Sequence, residues 1–121
     1  MGILCCGEDD SSGYAPDHLP SQQGINRNRP VLGYWKIRGL ASQIRYEMVY
    51  LGVDYVEDQY EQGDGPGFDR SSWTSVKESL GLPFPNLPYL IDGQVKMTET
   101  NAIMRYLATK HGPELLGKTP E

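Results

Sequence analysis

A chain of 121 residues with 38% hydrophobic and 22% charged residues is sufficient for one compact domain and too short for two. Its formal net charge of -5 argues against a nucleic-acid partner, because phosphate binding requires a basic stripe and none is visible. The sequence contains neither the roughly 18 consecutive apolar residues of a membrane span nor a secretory signal. Its two cysteines are adjacent, so we expect a cytoplasmic protein whose fold depends on packing instead of disulfides.

Residues 1–29 are dominated by small and polar residues, which predicts a disordered N-terminal arm. The arm begins MGILCC, a partial match to a lipidation signal in which Gly2 is myristoylated and Cys5 and Cys6 are palmitoylated. Cys6 stands where the usual signal has Ser or Thr, and a plain leader without lipid explains the arm equally well. The sequence thus leaves open whether the protein associates with a membrane through an acylated N-terminus.

Residues 30–112 have the pattern of a folded domain, which begins with a β-α-β unit. VLGYW, residues 31–35, is a short apolar run suited to a buried strand. Apolar residues then recur at helical spacing at Leu40, Ile44, Met48 and Leu51. Gly52 follows them and is suited to the C-terminus of a helix. DYVEDQY, residues 54–60, predicts the second strand.

The second half of the domain predicts a short helix and a hairpin. After a glycine-rich loop, we expect a helix from about Ser72 to Leu80 that ends at Gly81. YLI and QVKMT then flank Asp92-Gly93, a two-residue signal for a type I′ hairpin turn.

A final helix is expected after Thr98, which is suited to its N-cap, and Gly112 should end it. The order β-α-β-α-β-β-α predicts an α/β (α+β) fold with a four-stranded mixed sheet, which is the thioredoxin-like order. Thioredoxin-type redox enzymes place a nucleophilic cysteine directly after the first strand. No cysteine follows Cys6, so thiol–disulfide exchange in this domain is excluded, and the hydroxyl of Tyr34 is the best-placed reactive group.

Four blocks, GYWKIRGLASQIR, FDRSSW, LGLPFPNLPYLIDG and TETNAI, resemble in this order the N-terminal, glutathione-binding domain of a mu-class glutathione transferase. The resemblance covers residues 30–112 and implies a thioredoxin-like fold that binds reduced glutathione as co-substrate, without a metal, for conjugation to small electrophiles. The family also has a helical C-terminal domain that completes the electrophile pocket and part of a homodimer interface. Residues 113–121 resemble the start of the linker to that domain, which is absent from this sequence.

The resemblance also implies site residues for each part of glutathione. Tyr34 would stabilise the thiolate and Trp35 would add a ligand contact, while Pro88 would be a cis proline that exposes the backbone of Leu87 to the cysteinyl unit. Glu99, where most mu-class members have glutamine, and Thr100 would bind the γ-glutamyl ammonium and carboxylate. The residues that match the cluster around the glycyl carboxylate are Arg70, Trp73, Lys77 and Asn86.

Plainer alternatives exist for several of these residues. Pro88 is compatible with an ordinary trans turn, Tyr34 with a core tyrosine, and Glu99 with a common first-turn acid of a helix. Arg70, Trp73 and Lys77 are compatible with a solvated basic face. The functional alternative is a non-catalytic glutathione-binding or partner-binding module tethered to a membrane.

The first and last predicted helices carry apolar residues on two sides, although packing on one sheet requires only one side. Tyr46, Val49 and Tyr50 are therefore expected to face a second layer of structure. Without such a layer we expect an exposed apolar patch and self-association or marginal stability.

Overall fold

The computed structural model describes residues 29–118 and contains a four-stranded sheet in the order β2-β1-β3-β4. Its strands are β1 (Val31–Trp35), β2 (Val56–Tyr60), β3 (Tyr89–Asp92) and β4 (Val95–Thr98). β2 is parallel to β1, whereas β3 is antiparallel to both β1 and β4. The predicted thioredoxin-like fold with a mixed sheet is confirmed. The predictions for residues 1–28, including lipidation of Gly2, Cys5 and Cys6, lie outside the described residues.

Within residues 29–118, three α-helices connect or follow the strands: α1 (Ser42–Tyr50), α2 (Ser71–Thr74) and α3 (Thr100–His111). Single 3-10 turns occur at Gly39–Ala41, Lys77–Ser79 and Pro113–Leu116. Between residues 29 and 118, no helix combines the length and the apolar character that crossing a membrane requires.

The helices are divided between the two faces of the sheet. Arg45 on α1 forms an ion pair with Glu57 on β2, and Tyr106 on α3 donates a 2.7 Å hydrogen bond to Asp92 on β3. Side chains alternate along a strand, and the register places these two acids on the face that also carries Leu32 and Leu90. α1 and α3 therefore cover this face together.

The opposite face carries Gly33, Asp58, Tyr60 and Tyr89, and it is covered by Trp73 of α2. The largest fully buried side chains lie on both faces and form one continuous core: Leu32, Ile44, Met48, Tyr89, Leu90, Ile103 and Leu107. The thicker, aliphatic part of this core lies under α1 and α3.

The predicted helix from Ser72 to Leu80 is wrong as one element. α2 ends at Thr74, and a separate 3-10 turn begins at Lys77. Serine, threonine and valine are weak helix formers, and Ser79 Oγ donates a 2.7 Å hydrogen bond to the carbonyl of Val76, a local alternative to the helical bond.

Two turn predictions are also corrected. Asp92 pairs with Val95, so the central residues of the hairpin are Gly93 and Gln94, and only Gly93 has a positive φ (63°), as in a type II′ turn. The side chain of Asp92 accepts hydrogen bonds from α3, which keeps it in the strand. Thr98 is not the N-cap of α3, because its hydroxyl donates to the carbonyl of Phe84.

Two boundary expectations were wrong as well. Leu40 is 56% exposed instead of joining the helical core stripe, because it lies in the 3-10 turn before α1, whose period differs from that of an α-helix. Arg29, assigned to the arm, instead forms a 2.7 Å ion pair with Asp54 and a hydrogen bond to the carbonyl of Tyr55.

Candidate functional site

Tyr34, the residues around Pro88 and Thr100 come from segments that meet where β1 ends and β3 begins. β1 and β3 are antiparallel with Gly33 opposite Tyr89, so the end of β1 lies alongside the residues that precede β3. The start of α3 reaches the same place, because Thr100 Oγ1 lies 3.4 Å from the carbonyl oxygen of Leu40 in the loop after β1. The three segments therefore lie next to one another at this end of the sheet.

Tyr34 is 7% exposed, and its hydroxyl oxygen accepts a 3.1 Å hydrogen bond from the N–H of Leu40. The oxygen is the acceptor in this bond, so the hydroxyl proton stays available and has no acceptor among residues 29–118. Gly39 permits this approach: its φ is 45°, and a Cβ at this position would lie 2.6 Å from the hydroxyl. Accepting a backbone hydrogen bond polarises the phenol and strengthens it as a donor.

The loop that carries Leu40 is fixed by Arg45, whose guanidinium was not predicted to act near the site. It pairs with Glu57 and donates to the carbonyls of Ile37 and Arg38, at 3.0 and 3.2 Å. This contact depends on how α1 lies over β2, which the local sequence pattern does not reveal.

The Leu87–Pro88 peptide bond is cis, as predicted. Leu87 itself is buried, and its N–H donates a 2.9 Å hydrogen bond to the side-chain oxygen of Asn86. The N–H is therefore not free, contrary to expectation, because an asparagine side chain readily bonds to neighbouring backbone groups. Asn86 is exposed, so its amide can move away from this contact.

Glu99 occupies the N-cap position of α3 with φ 81° and ψ 117°, and its carboxylate forms no capping hydrogen bond. A positive φ is uncommon for a residue with a long side chain and indicates local strain. The N-terminal N–H groups of an α-helix have no intrahelical acceptor and carry partial positive charge. Glu99 and Thr100 thus combine one exposed carboxylate with a helix N-terminus suited to an anion.

Trp73 is 6% exposed, and its ring stacks on Tyr89 with centroids 5.9 Å apart and meets Tyr60 edge-on at 5.3 Å. The buried, unpaired side-chain atoms among residues 29–118 are Arg29 Nε and Glu47 Oε1. The indole N–H of Trp73 is not one of them and has no acceptor in that range, so it reaches the surface as an available donor.

Arg70 and Lys77 do not lie on one helical face with Trp73, because α2 ends at Thr74. Arg70 is exposed and Lys77 half-buried, and neither side chain forms an ion pair or hydrogen bond within the described range. The two cations therefore remain available, although the single helix expected to align them is not present.

Cavities in the described part of the chain occur both beside the predicted site and away from it. One of about 270 Å³ adjoins the site and is bounded by Trp35 and the loop from Glu61 to Phe68. The other, about 580 Å³, lies between α1 and α3, away from the site. No group of three or more His, Cys, Asp or Glu side chains that could hold a metal ion occurs between residues 29 and 118.

Residues 30–109 match the family model described as the glutathione S-transferase, N-terminal domain. The chain belongs to the glutathione S-transferase family. It is 58% identical over 90 residues to glutathione S-transferase Mu 4 of Mus musculus, an alignment that covers 74% of this chain and 40% of the relative. It is also 57% identical to glutathione S-transferase Mu 1 of Oryctolagus cuniculus, with the same coverage. The resemblance to the mu class is confirmed.

Among solved structures, the chain is similar to the crystal structure of the glutathione S-transferase Blo t 8, with a TM-score of 0.61 and 44% identity. That similarity covers 68% of this chain and 36% of the other. The chain thus spans about two fifths of the length of the curated glutathione S-transferases it matches, and the shared part is the thioredoxin-like domain.

Proposed function

We propose that this chain supplies the glutathione site of a glutathione transferase, in which the Tyr34 hydroxyl stabilises the thiolate that attacks an electrophile. The proposal rests on the hydrogen bonding and the position of the Tyr34 hydroxyl. It is polarised by the Leu40 N–H, its proton has no acceptor within residues 29–118, and it lies at the end of β1. A thiol with a pKa of about 8.5 is mostly protonated at neutral pH, and a hydroxyl donor favours its thiolate.

The cysteinyl unit of glutathione would lie along Leu87, in the manner of an added strand. Its backbone contact requires the Leu87 N–H, which Asn86 Oδ1 now occupies. Binding would therefore exchange one hydrogen bond for another, and it would release the exposed Asn86 amide toward the glycyl end of the ligand.

The γ-glutamyl end carries an ammonium and a carboxylate, and the start of α3 offers a partner for each. The carboxylate suits the N-terminal N–H groups of α3 together with the Thr100 hydroxyl. The ammonium suits Glu99, whose strained backbone is consistent with a residue held for ligand contact. A carboxylate here gives a charged partner to the ammonium.

The glycyl carboxylate would be bound by the indole N–H of Trp73, with the unpaired cations Arg70 and Lys77 nearby in sequence. An accessible donor on an otherwise buried ring is suited to a fixed hydrogen bond. The flexible cations would add charge without fixing the position.

Turnover requires an electrophile site, and in this chain the cavity beside Trp35 would form one wall of it. Because the chain spans about two fifths of its curated relatives, conjugation of reduced glutathione to electrophiles is proposed for the whole protein. The second candidate is a non-catalytic glutathione-binding or partner-binding module, which lipidation of Gly2, Cys5 and Cys6 would tether to a membrane. A conjugation assay with a generic aryl electrophile, run beside calorimetry, separates the two, since binding without turnover favours the module.

The first test is calorimetric titration of reduced glutathione into the wild type and Tyr34→Phe, with Tyr46→Phe as a control. Tyr46 is 71% exposed on α1, so this control removes a hydroxyl away from the site. Tyr34→Phe should keep glutathione affinity within a few-fold and raise the pKa of the bound thiol, measured by thiolate absorbance against pH. An unchanged thiol titration would make Tyr34 structural, and a wild type without binding would refute the glutathione site.

A further inference from the structure

We propose that Asp58, Tyr89 and Tyr60 form an anchored aromatic platform that positions the Trp73 indole for the glycyl carboxylate of glutathione. This inference rests on the proposed function and assigns roles to three residues on the face of the sheet that α2 covers. They are positioning residues, because they act through Trp73.

The base of the platform is formed by residues that lie side by side on three neighbouring strands. The register aligns Asp58 on β2, Gly33 on β1 and Tyr89 on β3, so all three residues project toward the α2 side of the sheet. A Cβ at Gly33 would lie 2.1 Å from the ring of Tyr89. The absent side chain therefore allows this ring to cross β1, and its hydroxyl reaches Asp58 Oδ2 at 2.9 Å.

The hydrogen bonds have a defined direction. Tyr89 donates its only hydroxyl proton to the Asp58 carboxylate, so Tyr60 must be the donor in the 2.8 Å contact between the two tyrosine hydroxyls. Burial, followed by the negative charge of Asp58, raises the pKa of Tyr89 far above that of an exposed tyrosine. Burial likewise raises the pKa of Tyr60. Both phenols therefore stay protonated. The hydrogen bonds run from Tyr60 through Tyr89 to Asp58, whose carboxylate is the final acceptor.

The two fixed rings hold Trp73 from two directions. Tyr89 lies almost parallel to the indole at an interplanar angle of 23°, and Tyr60 meets it at 65°. Trp73 itself is on a helix of only four residues, which cannot by itself fix an indole. The orientation of its accessible N–H thus depends on the platform below it, and a loose platform would weaken the hydrogen bond to a carboxylate.

The test compares two ligands, reduced glutathione and γ-glutamylcysteine, which lacks the glycyl residue. Tyr89→Phe keeps the ring and removes the bond to Asp58, so we expect about three- to tenfold weaker binding of glutathione, the effect of one weakened hydrogen bond to a charged group. Binding of γ-glutamylcysteine should change by less than about twofold, since it has no contact with Trp73.

Tyr106→Phe is the matched control, because its hydroxyl donates a comparable bond to Asp92 on the opposite face of the sheet. It should leave both affinities unchanged. If Tyr89→Phe does not fold, Asp58→Asn tests the same anchor with both tyrosines in place, and the same difference between the two ligands is expected. Equal weakening of both ligands would overturn the proposal and make the network a general support of the fold.

A double-mutant cycle with Trp73→Phe, which removes the indole donor, provides a second measurement. In the Trp73→Phe background, Tyr89→Phe should cause no further loss of glutathione affinity, because the group that it positions is already absent. Fully additive losses would overturn the inference. If the wild type binds neither ligand, the proposed function is refuted. If the wild type binds glutathione and Tyr89→Phe binds it equally well, only the platform is refuted.

Discussion

Each face of the sheet contains a tyrosine that donates a hydrogen bond to an aspartate, but the two pairs differ in their surroundings. Tyr89 and Asp58 are buried beneath α2, where the rings of Tyr60 and Trp73 complete an aromatic cluster. On the other face, Tyr106 is only half-buried and shares Asp92 with Lys110. The Tyr89–Asp58 pair is thus part of a buried aromatic cluster, whereas the Tyr106–Asp92 pair is half-buried.

The face under α1 and α3 contains the side chains that stabilise the fold most. Ile44, Met48, Ile103 and Leu107 are fully buried there, whereas Trp73, at 6% exposed, is the one buried residue of α2 and the 3-10 turn at Lys77–Ser79. The comparison teaches that the aliphatic core lies under α1 and α3, whereas the rings that contact the Trp73 indole lie on the opposite face. Substitutions in the aliphatic core should therefore affect mainly unfolding, and substitutions beneath Trp73 should affect mainly ligand affinity.

The largest expected effect is a loss of stability when a buried side chain of α3 is truncated. Leu107→Ala removes a fully buried side chain and should lower the free energy of unfolding by about 2–5 kcal/mol. Val49→Ala, at a position 73% exposed on α1, should change it by less than about 0.5 kcal/mol. Chemical denaturation of both variants measures the difference. Equal losses would show that α1 and α3 do not enclose the stabilising core.

Gly33→Ala should lower both the stability of the fold and the affinity for glutathione, because a side chain at Gly33 would project into the Tyr89 ring on the α2 side of the sheet. The added methyl would overlap the Tyr89 ring at 2.1 Å, and overpacking of this kind costs about 1–3 kcal/mol. The displaced ring should also weaken glutathione binding. Gly67→Ala is the control, since a Cβ at Gly67 meets nothing within 4 Å. Unchanged stability and affinity in Gly33→Ala would mean that the ring has room elsewhere.

The outer surface of α1 is expected to self-associate. Tyr46, Val49 and Tyr50 are 71%, 73% and 72% exposed, and Leu115 and Leu116 extend the same apolar surface across the 580 Å³ cavity. Replacing Tyr46 and Tyr50 by serine should weaken association about tenfold, or about 1.4 kcal/mol, in sedimentation at micromolar concentration. Val95→Ser, on β4, is the control. A wild type that stays monomeric and binds no hydrophobic dye would contradict this prediction.

Local patterns were sufficient to predict much of the fold. The apolar run of β1, the β-branched and aromatic residues of β2 and the apolar spacing that ends at Gly52 predicted the β-α-β unit. The hairpin was predicted but shifted by one residue, because Asp92 is kept in β3 by hydrogen bonds from α3, a contact distant in sequence.

The aromatic platform could not be predicted, since it depends on strand register. Only the pairing of Gly33 with both Asp58 and Tyr89 reveals that one ring crosses a strand. Arg45 illustrates the same limit: no local sequence pattern assigned it a role, whereas in the structure it fixes the loop beside Tyr34. Residue types and motifs predicted the candidate site residues, whereas the contacts that hold them depend on tertiary structure.

The smallest expected effects come from two carboxyl groups on the α1 and α3 side, and they have opposite signs. Burial raises the pKa of Glu47 above 4.5, and its Oε1 has no hydrogen-bond partner although Arg105 lines the same cavity. Burial alone would also raise the pKa of Asp92, but hydrogen bonds from Lys110 and Tyr106 outweigh it and lower this pKa below 3.8.

The folded state therefore binds a proton more tightly than the unfolded chain at Glu47 and less tightly at Asp92. The contribution of Glu47 to the stability of the folded state is present at low pH, and it is lost as pH rises through the window that begins near 4.5. The Asp92 contribution is present above 3.8 and is lost as pH falls through its lowered pKa. Glu47→Gln should thus stabilise the protein slightly at neutral pH, whereas Asp92→Asn should destabilise it, and both differences should shrink in acid. Denaturation curves from pH 3 to 7 test this, and stabilisation by both variants at neutral pH would contradict the assignment of Asp92 as a paired carboxylate.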